Sequence, residues 1–146
     1  MSSTASLWPS FGPIPNLKTP KIILQEQADH LVAISNHLIN AEIVTTPHST
    51  SLNKISHIMK ITASLVENYT AVIVMIDHEA IKVYPVTVTS RIKAMPVAIQ
   101  AANEEEYIML LQKVFEERET IETIQSLLSQ SKAIEAYARQ NKTVGR

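Results

Sequence analysis

The chain has 146 residues, of which 18% are charged, 45% are hydrophobic and none is cysteine. A chain of this length fits one domain and buries roughly 68 to 70% of the surface that it exposes when unfolded, so it needs no disulfide or metal to hold it together. The lack of cysteine excludes disulfides, thiolate metal sites and thiol nucleophiles. The 13 basic and 14 acidic residues nearly cancel, which excludes the overall basic field that drives sequence-independent nucleic-acid binding.

The charged fraction lies below the usual quarter of residues, which leaves more apolar surface to cover and favours self-association. The N-terminus lacks a basic stretch followed by an apolar run of signal-peptide length, and no run of about 18 apolar residues occurs. We therefore expect a soluble, cytoplasmic protein that does not engage a membrane.

Residues 1 to 19 form a segment in which prolines at positions 9, 13 and 15 alternate with Trp8, Phe11 and Ile14. Proline at this density prevents regular helix and sheet and favours an extended arm. The arm is either a disordered leader or a segment that docks on its own domain or on a neighbouring subunit. We favour docking, because Trp8 is the only tryptophan and Phe11 one of two phenylalanines, and a solvated arm would leave both in water.

The first helix is predicted to run from Pro20 to about residue 40. Thr19 can cap its free backbone N–H groups, and Pro20 suits the first helical position. His30 and His37 lie about 10 Å apart on the helix, too far to share one metal, so we interpret both as boundary histidines with local hydrogen bonds. A stripe of apolar residues predicts that the helix faces the core, and it consists of Leu24, Ala28, Leu31 and Leu38, with Ile23 and Ile34 beside it.

Three antiparallel strands are predicted in the next part of the chain. Residues 41 to 46 form the first strand, and a polar loop follows at 48 to 53. Residues 54 to 66 fit the period of a strand and that of a helix; we favour a strand over 54 to 62, because short connections then join three consecutive strands. The apolar, mostly β-branched run from 71 to 76 predicts a central strand that is buried on both faces.

A polar turn is predicted at Asp77, His78 and Glu79, followed by a return strand over residues 80 to 88. Because Pro85 cannot donate a ladder hydrogen bond, that strand is expected to lie at a sheet edge or to carry a bulge. Residues 90 to 94 form a basic connection, and residues 95 to 102 predict a fifth, short strand.

Asn103 and the three glutamates after it predict the start of a C-terminal helix. Asparagine caps the helix, Glu106 has the spacing of a capping box, and the carboxylates favour the positive end of the helix dipole. A charged joint at 116 to 119 leads to a second helical pattern, and the sequence leaves open whether this region is two helices or one bent helix. Residues 140 to 146 are expected to form a flexible tail. The predicted buried face of the first pattern consists of Tyr107, Leu110, Leu111, Val114 and Phe115.

Four residues are candidates for catalysis: His57, Asp77, His78 and Glu79. The strand over 54 to 62 places His57 among apolar neighbours, where its pKa would fall. We interpret His57 as a core histidine and the other three as a solvated hairpin turn. No zinc or hydrolase spacing occurs, and two glycines are too few for a loop that binds a phosphate or a dinucleotide.

The strand region also carries bases that could share one exposed sheet face, namely Lys54, Lys60, Lys82, Arg91 and Lys93. Nucleic-acid binding there would use stacking aromatics, and Tyr69 and Tyr84 are the only candidates on the strands. We interpret the face as solvated or as one that meets an acidic helix of a second subunit.

These patterns predict an α+β domain over residues 20 to 139, with an N-terminal helix, an antiparallel sheet of four or five strands, and one or two C-terminal helices packed on one sheet face. The leading hypothesis is a non-enzymatic interaction or regulatory protein that acts as a homo-oligomer, a dimer in the simplest case, without cofactor or metal. The alternatives are a small hydrolase or nuclease that uses His, Asp, Glu or Tyr84 side chains, and a nucleic-acid-binding module. The candidate interaction residues are Trp8, Phe11, Ile121, Ile124 and Leu128.

Overall fold

A computed structural model describes residues 3–15, 17–48, 50–93 and 95–144, with the side chains of 142–144 excepted. Positions 1, 2 and 16 of the predicted arm, 49 of the predicted loop, 94 of the basic connection, and 145 and 146 of the predicted tail lie outside the described residues. The elements are α1 Pro20–Ile34, β1 Asn40–Pro47, β2 Lys54–Ala63, β3 Tyr69–Glu79, β4 Val86–Ser90, β5 Ala98–Ala101, α2 Glu104–Phe115 and α3 Arg118–Val144.

The five strands form one antiparallel sheet in the order β1-β2-β3-β4-β5, so each strand pairs with its neighbour in sequence. The predicted α+β fold is confirmed, and so is the strand interpretation of residues 54 to 62. Alternate residues of a strand face opposite sides. On the helix-facing side, Met59 and Ile61 of β2 and Ile76 of β3 are fully or almost fully buried. A register shift opposite Met59 and Lys60 buries both Ile73 and its neighbour Val74.

Helix α1 begins as predicted and ends earlier than predicted. Thr19 Oγ1 accepts a hydrogen bond from the Ile22 backbone N–H at 3.3 Å. The helix stops at Ile34, because Asn36 and His37 have left-handed φ angles of 52° and 66° that no helix accommodates. The prediction of a helix to residue 40 was therefore wrong.

The predicted turn at Asp77, His78 and Glu79 was also wrong, since these residues complete β3. They pair with the first three residues of β2, so the long β2 ladder holds them in the strand. The chain reverses between residues 80 and 85, where the Ala80 N–H donates to the Asn53 carbonyl at 2.7 Å. The return strand is consequently shorter than predicted.

Pro85 lies just before β4, outside the ladder, so no strand N–H is lost there. The strand that follows it, β4, pairs with β3 on one side and β5 on the other. The expectation of an edge or a bulge at Pro85 was therefore wrong. The fifth strand predicted between 95 and 102 is confirmed as β5.

The C-terminal region forms two helices. The Glu106 N–H donates to Asn103 Oδ1 at 2.9 Å, and Glu106 Oε2 accepts from the Ala102 N–H at 2.7 Å, as the predicted cap requires. The second helix, α3, includes residues 140 to 144, whose flexibility stays a prediction. No helix of the described residues is both long enough and apolar enough to cross a membrane.

Tyr107 ties the start of α2 to the start of α1. The ring is fully buried, and its hydroxyl donates to the Pro20 carbonyl at 2.9 Å. Because the Pro20 carbonyl is in the interior, removing the hydroxyl leaves a buried acceptor without this donor.

We expect Tyr107→Phe to lower the free energy of unfolding by about 0.5 to 1.5 kcal/mol, the net contribution of one hydrogen bond, because the Pro20 carbonyl keeps its place in the helical ladder of α1. Urea denaturation followed by circular dichroism measures it. The matched control is Tyr137→Phe, because Tyr137 is exposed on α3. We expect a change within about 0.5 kcal/mol for this control; equal effects of the two substitutions would contradict the role of the Tyr107 hydroxyl.

Candidate functional site

Two of the four candidate catalytic residues meet inside the domain. His57 of β2 and His78 of β3 lie diagonally across the strand pair, on the same side of the sheet, because His57 pairs with Ile76 and His78 with Ile55. Their Nε2 atoms are 2.9 Å apart and their ring centroids 5.0 Å apart. The two residues are only 4% and 7% exposed. The central ladder thus creates a buried histidine pair.

The partners of the pair fix where its protons lie. The Glu79 carbonyl, 2.7 Å from His78 Nδ1, can only accept, so His78 Nδ1 carries a proton. In a neutral ring His78 Nε2 is then an acceptor, and His57 Nε2–H donates to it. His57 Nδ1 in turn accepts from the Thr45 hydroxyl at 2.9 Å. One directional chain of hydrogen bonds therefore satisfies all four ring nitrogens while both histidines are neutral.

Burial lowers the pKa of His57 from 6.5 to about 4, because the charged form loses its hydration. His78 and Lys21 lower this pKa further by charge repulsion, and the Asp77 carboxylate opposes them. His57 is consequently uncharged near pH 7.

Asp77 lies on the opposite side of the sheet from the histidine pair. Ser56, its direct cross-strand partner, donates a short hydrogen bond to Asp77 Oδ1. His48 Nε2 is 3.9 Å from the same oxygen, and His48 Nδ1 accepts from the Thr50 N–H at 3.2 Å. The Ser56 hydroxyl donates to this carboxylate and not to an imidazole, so the arrangement differs from that of a serine activated by histidine.

The structure therefore separates the candidates that a hydrolase would need together. His57 and His78 share one side, Asp77 occupies the other, and the Glu79 side chain is exposed while its carbonyl serves His78. Tyr84 packs edge-on against Tyr107, with centroids 6.3 Å apart.

Access to the histidine pair is also restricted. Each Nε2 atom is occupied by the other, and neither histidine lines any of the five main cavities between described residues. Among those residues, no group of three or more His, Cys, Asp or Glu side chains is placed to hold a metal ion. All four ring nitrogens already have hydrogen-bond partners, so the pair offers none to a substrate.

The remaining histidines and the bases are dispersed. His30 is exposed on α1 and His37 is exposed beyond its end. Lys60 and Lys93 form ion pairs with glutamates, at 3.9 Å to Glu42 and 3.5 Å to Glu117. Lys54, Lys82 and Arg91 are exposed, and Tyr69 is about half exposed.

The arm extends away from the domain with its apolar side chains in solvent. Leu7, Trp8, Phe11, Ile14 and Leu17 are between 64 and 87% exposed, and the Trp8 and Phe11 rings lie 6.2 Å apart. Docking of the arm on its own domain is not seen in this structure. The other interaction candidates lie on α3, where Ile121 is exposed while Ile124 and Leu128 pack against the core.

Sequence reasoning missed Thr45, Ser56 and His48 as partners of the candidate residues, because the strand register alone brings them together. It also missed Thr120, which is fully buried in the first turn of α3 with a hydroxyl that has no hydrogen-bond partner among the described residues. No local pattern marks any of these positions.

Comparison of the chain with known protein families, with curated proteins and with solved structures found no match.

The lowered pKa of His57 predicts a loss of stability in acid. His57 binds a proton near pH 6.5 in the unfolded chain and near pH 4 in the folded chain. Its contribution to the free energy of unfolding is therefore complete above pH 6.5 and is lost as the pH falls toward 4. The loss is about 3 kcal/mol at most, since each tenfold change in proton affinity is worth about 1.4 kcal/mol.

Denaturation of the wild type and His57→Gln across pH 4 to 7.5 measures this contribution. We expect His57→Gln to flatten the dependence on pH between 6.5 and 4, and the exposed control His30→Gln to leave it unchanged. If the stability of His57→Gln depends on pH as steeply as that of the wild type, His57 does not cause the loss of stability in acid.

Proposed function

We propose that this protein is a non-enzymatic interaction protein that acts as a homo-oligomer and uses its N-terminal arm as the contact. The observation that carries the proposal is the exposure of every described large apolar side chain of the arm, from Leu7 to Leu17. Monomeric proteins rarely present a contiguous apolar surface of this kind, and such surfaces mark sites of association.

The apolar area of the arm is sufficient for a stable contact. Tryptophan and phenylalanine bury about 150 to 250 Å² each, so two arms in a dimer supply roughly 600 to 1,000 Å² from Trp8 and Phe11 alone. Leu7, Ile14 and Leu17 add to this. The total then approaches the roughly 1,200 to 2,000 Å² of a standard protein interface.

The prolines of the arm reduce the entropy that binding costs. Prolines at 9, 13 and 15 restrict the backbone to extended conformations before any partner is bound. A segment that is already close to its bound conformation loses less freedom on docking, which increases affinity without new contacts.

The same observations weigh against the two alternatives. An enzyme that uses His57 with Asp77 would need a cleft shared by side chains that lie on opposite sides of the sheet. A nucleic-acid interface would need a continuous basic face, and Lys60 and Lys93 are each matched with a glutamate. The cytoplasmic location remains a prediction from the sequence.

We expect the wild type to form dimers by native mass spectrometry and sedimentation velocity, and Trp8→Ala/Phe11→Ala to raise the dimer Kd at least about 30-fold. An aromatic hot spot is worth about 2 kcal/mol or more, and about 1.4 kcal/mol corresponds to tenfold in Kd. The circular dichroism spectrum of the variant should match that of the wild type, because both side chains lie outside the core.

The matched control is Leu52→Ala/Ile81→Ala, which removes two exposed apolar side chains from loops of the domain. Its Kd should equal that of the wild type. A wild type that stays monomeric throughout, or a control that weakens the dimer as much as the arm variant, would contradict the proposal.

A further inference from the structure

The domain has an apolar cavity that suits an aromatic side chain. It has a volume of about 200 Å³ and lies between α1, α3 and the helix-facing side of the sheet, lined by Leu31, Met59, Ile73 and Ile124 among others. The cavity opens to solvent at Ile34, and its volume exceeds the roughly 150 Å³ that holds a benzene ring. The space is therefore suited to one aromatic side chain.

Three polar residues, Gln27, His30 and Thr120, line the cavity. Of these, Thr120 is fully buried and carries a hydroxyl without a hydrogen-bond partner among the described residues. Threonine in a helix populates two side-chain rotamers, so rotation about its first side-chain bond can present the hydroxyl oxygen to an incoming donor. The indole of tryptophan combines a large apolar surface with a single N–H donor and no acceptor.

We propose that this cavity receives the indole of Trp8 from a second copy of the chain, with the indole Nε1–H donating to Thr120 Oγ1. The inference rests on the proposed function and identifies the receptor for the arm. Two copies that exchange arms make the same contact twice about a twofold axis, which closes the assembly at a dimer.

The structure favours a second copy over the arm's own domain. The root of the arm is held beside α1 by an ion pair of 3.1 Å between Lys18 and Glu26. Trp8 is nevertheless 79% exposed, and none of the described arm residues lines the cavity of its own domain.

The fluorescence of Trp8 tests the proposal directly, because it is the only tryptophan in the chain. We would record its emission maximum and the molecular mass of the full chain over the same range of concentrations. The expected result is a shift to shorter wavelength with the same midpoint as dimer formation.

The other outcomes overturn the inference in distinguishable ways. Emission typical of a buried indole from a chain that has the mass of a monomer would mean that the arm docks on its own domain. Dimers whose Trp8 emission stays that of a solvated indole would place the contact elsewhere, which leaves the proposed function standing. A monomer at all concentrations would overturn the proposed function as well.

A substitution at the cavity rim distinguishes this cavity from other surfaces. Ile34 lines the cavity at the end of α1 and is 77% exposed, so Ile34→Lys adds a charge there with little effect on folding. We expect the dimer Kd to rise at least tenfold and Trp8 emission to stay at the wavelength of a solvated indole. The control Ile81→Lys, at a residue 93% exposed and remote from the lining, should change neither; equal effects of the two would overturn the proposal.

A double-mutant cycle tests the hydrogen bond. Thr120→Val keeps the shape of the side chain and removes the hydroxyl at both contacts of the dimer, so it should raise the wild-type dimer Kd roughly 30-fold, the effect of two net hydrogen bonds of about 1 kcal/mol each. In the Trp8→Phe background, which lacks the indole N–H, the same substitution should leave Kd unchanged. Equal effects in both backgrounds would exclude the contact between Trp8 and Thr120.

Discussion

The pairing of β2 with β3 is the constraint on which the rest of the structure depends. The ladder runs from the Lys54–Glu79 pair to the Ala63–Tyr69 pair, and successive residues face opposite sides of the sheet except at the register shift beside Met59 and Lys60. This alternation buries Met59 and Ile61 beneath the helices. It also sorts the polar residues, with the histidine pair on the helix side and the Ser56–Asp77 pair on the other. A slip of one residue would exchange the two sides.

The buried histidines find their hydrogen-bond partners inside the domain, whereas the apolar side chains of the arm lie in solvent. Inside, His57, His78 and Thr45 complete one another's hydrogen bonds, so the interior offers little to a substrate. Outside, the arm holds its tryptophan and phenylalanine in water. The apolar side chains of the arm are therefore the groups that remain to be buried. The apolar cavity beside Thr120 is a place in the same molecule that can bury one of them. This contrast favours association over catalysis.

Features with local causes could be predicted from the sequence, and features set by a distant partner could not. The caps at Thr19 and Asn103 follow from side chains within a few residues of one another. The strand at 54 to 62 fits two local periods, and the short connections to its neighbours distinguish it from a helix. The end of α1 could not be predicted, because Asn36 and His37 adopt left-handed angles without a glycine to signal them. The assignment of 77 to 79 to a turn failed because the length of β2 decides where β3 ends. The histidine pair could not be predicted either, because it depends on the register between β2 and β3.

The measurement that tests the central claim most directly is disulfide formation between two singly substituted proteins, since the chain has no cysteine of its own. Leu7→Cys places a thiol beside Trp8, and Ile34→Cys places one at the cavity rim. A disulfide forms only when the two Cα atoms come within about 7 Å. If the arm of one copy occupies the cavity of another, mixing the two proteins under mild oxidation gives a cross-linked heterodimer in high yield. A yield no greater than that with Ile81→Cys in place of Ile34→Cys would contradict the account.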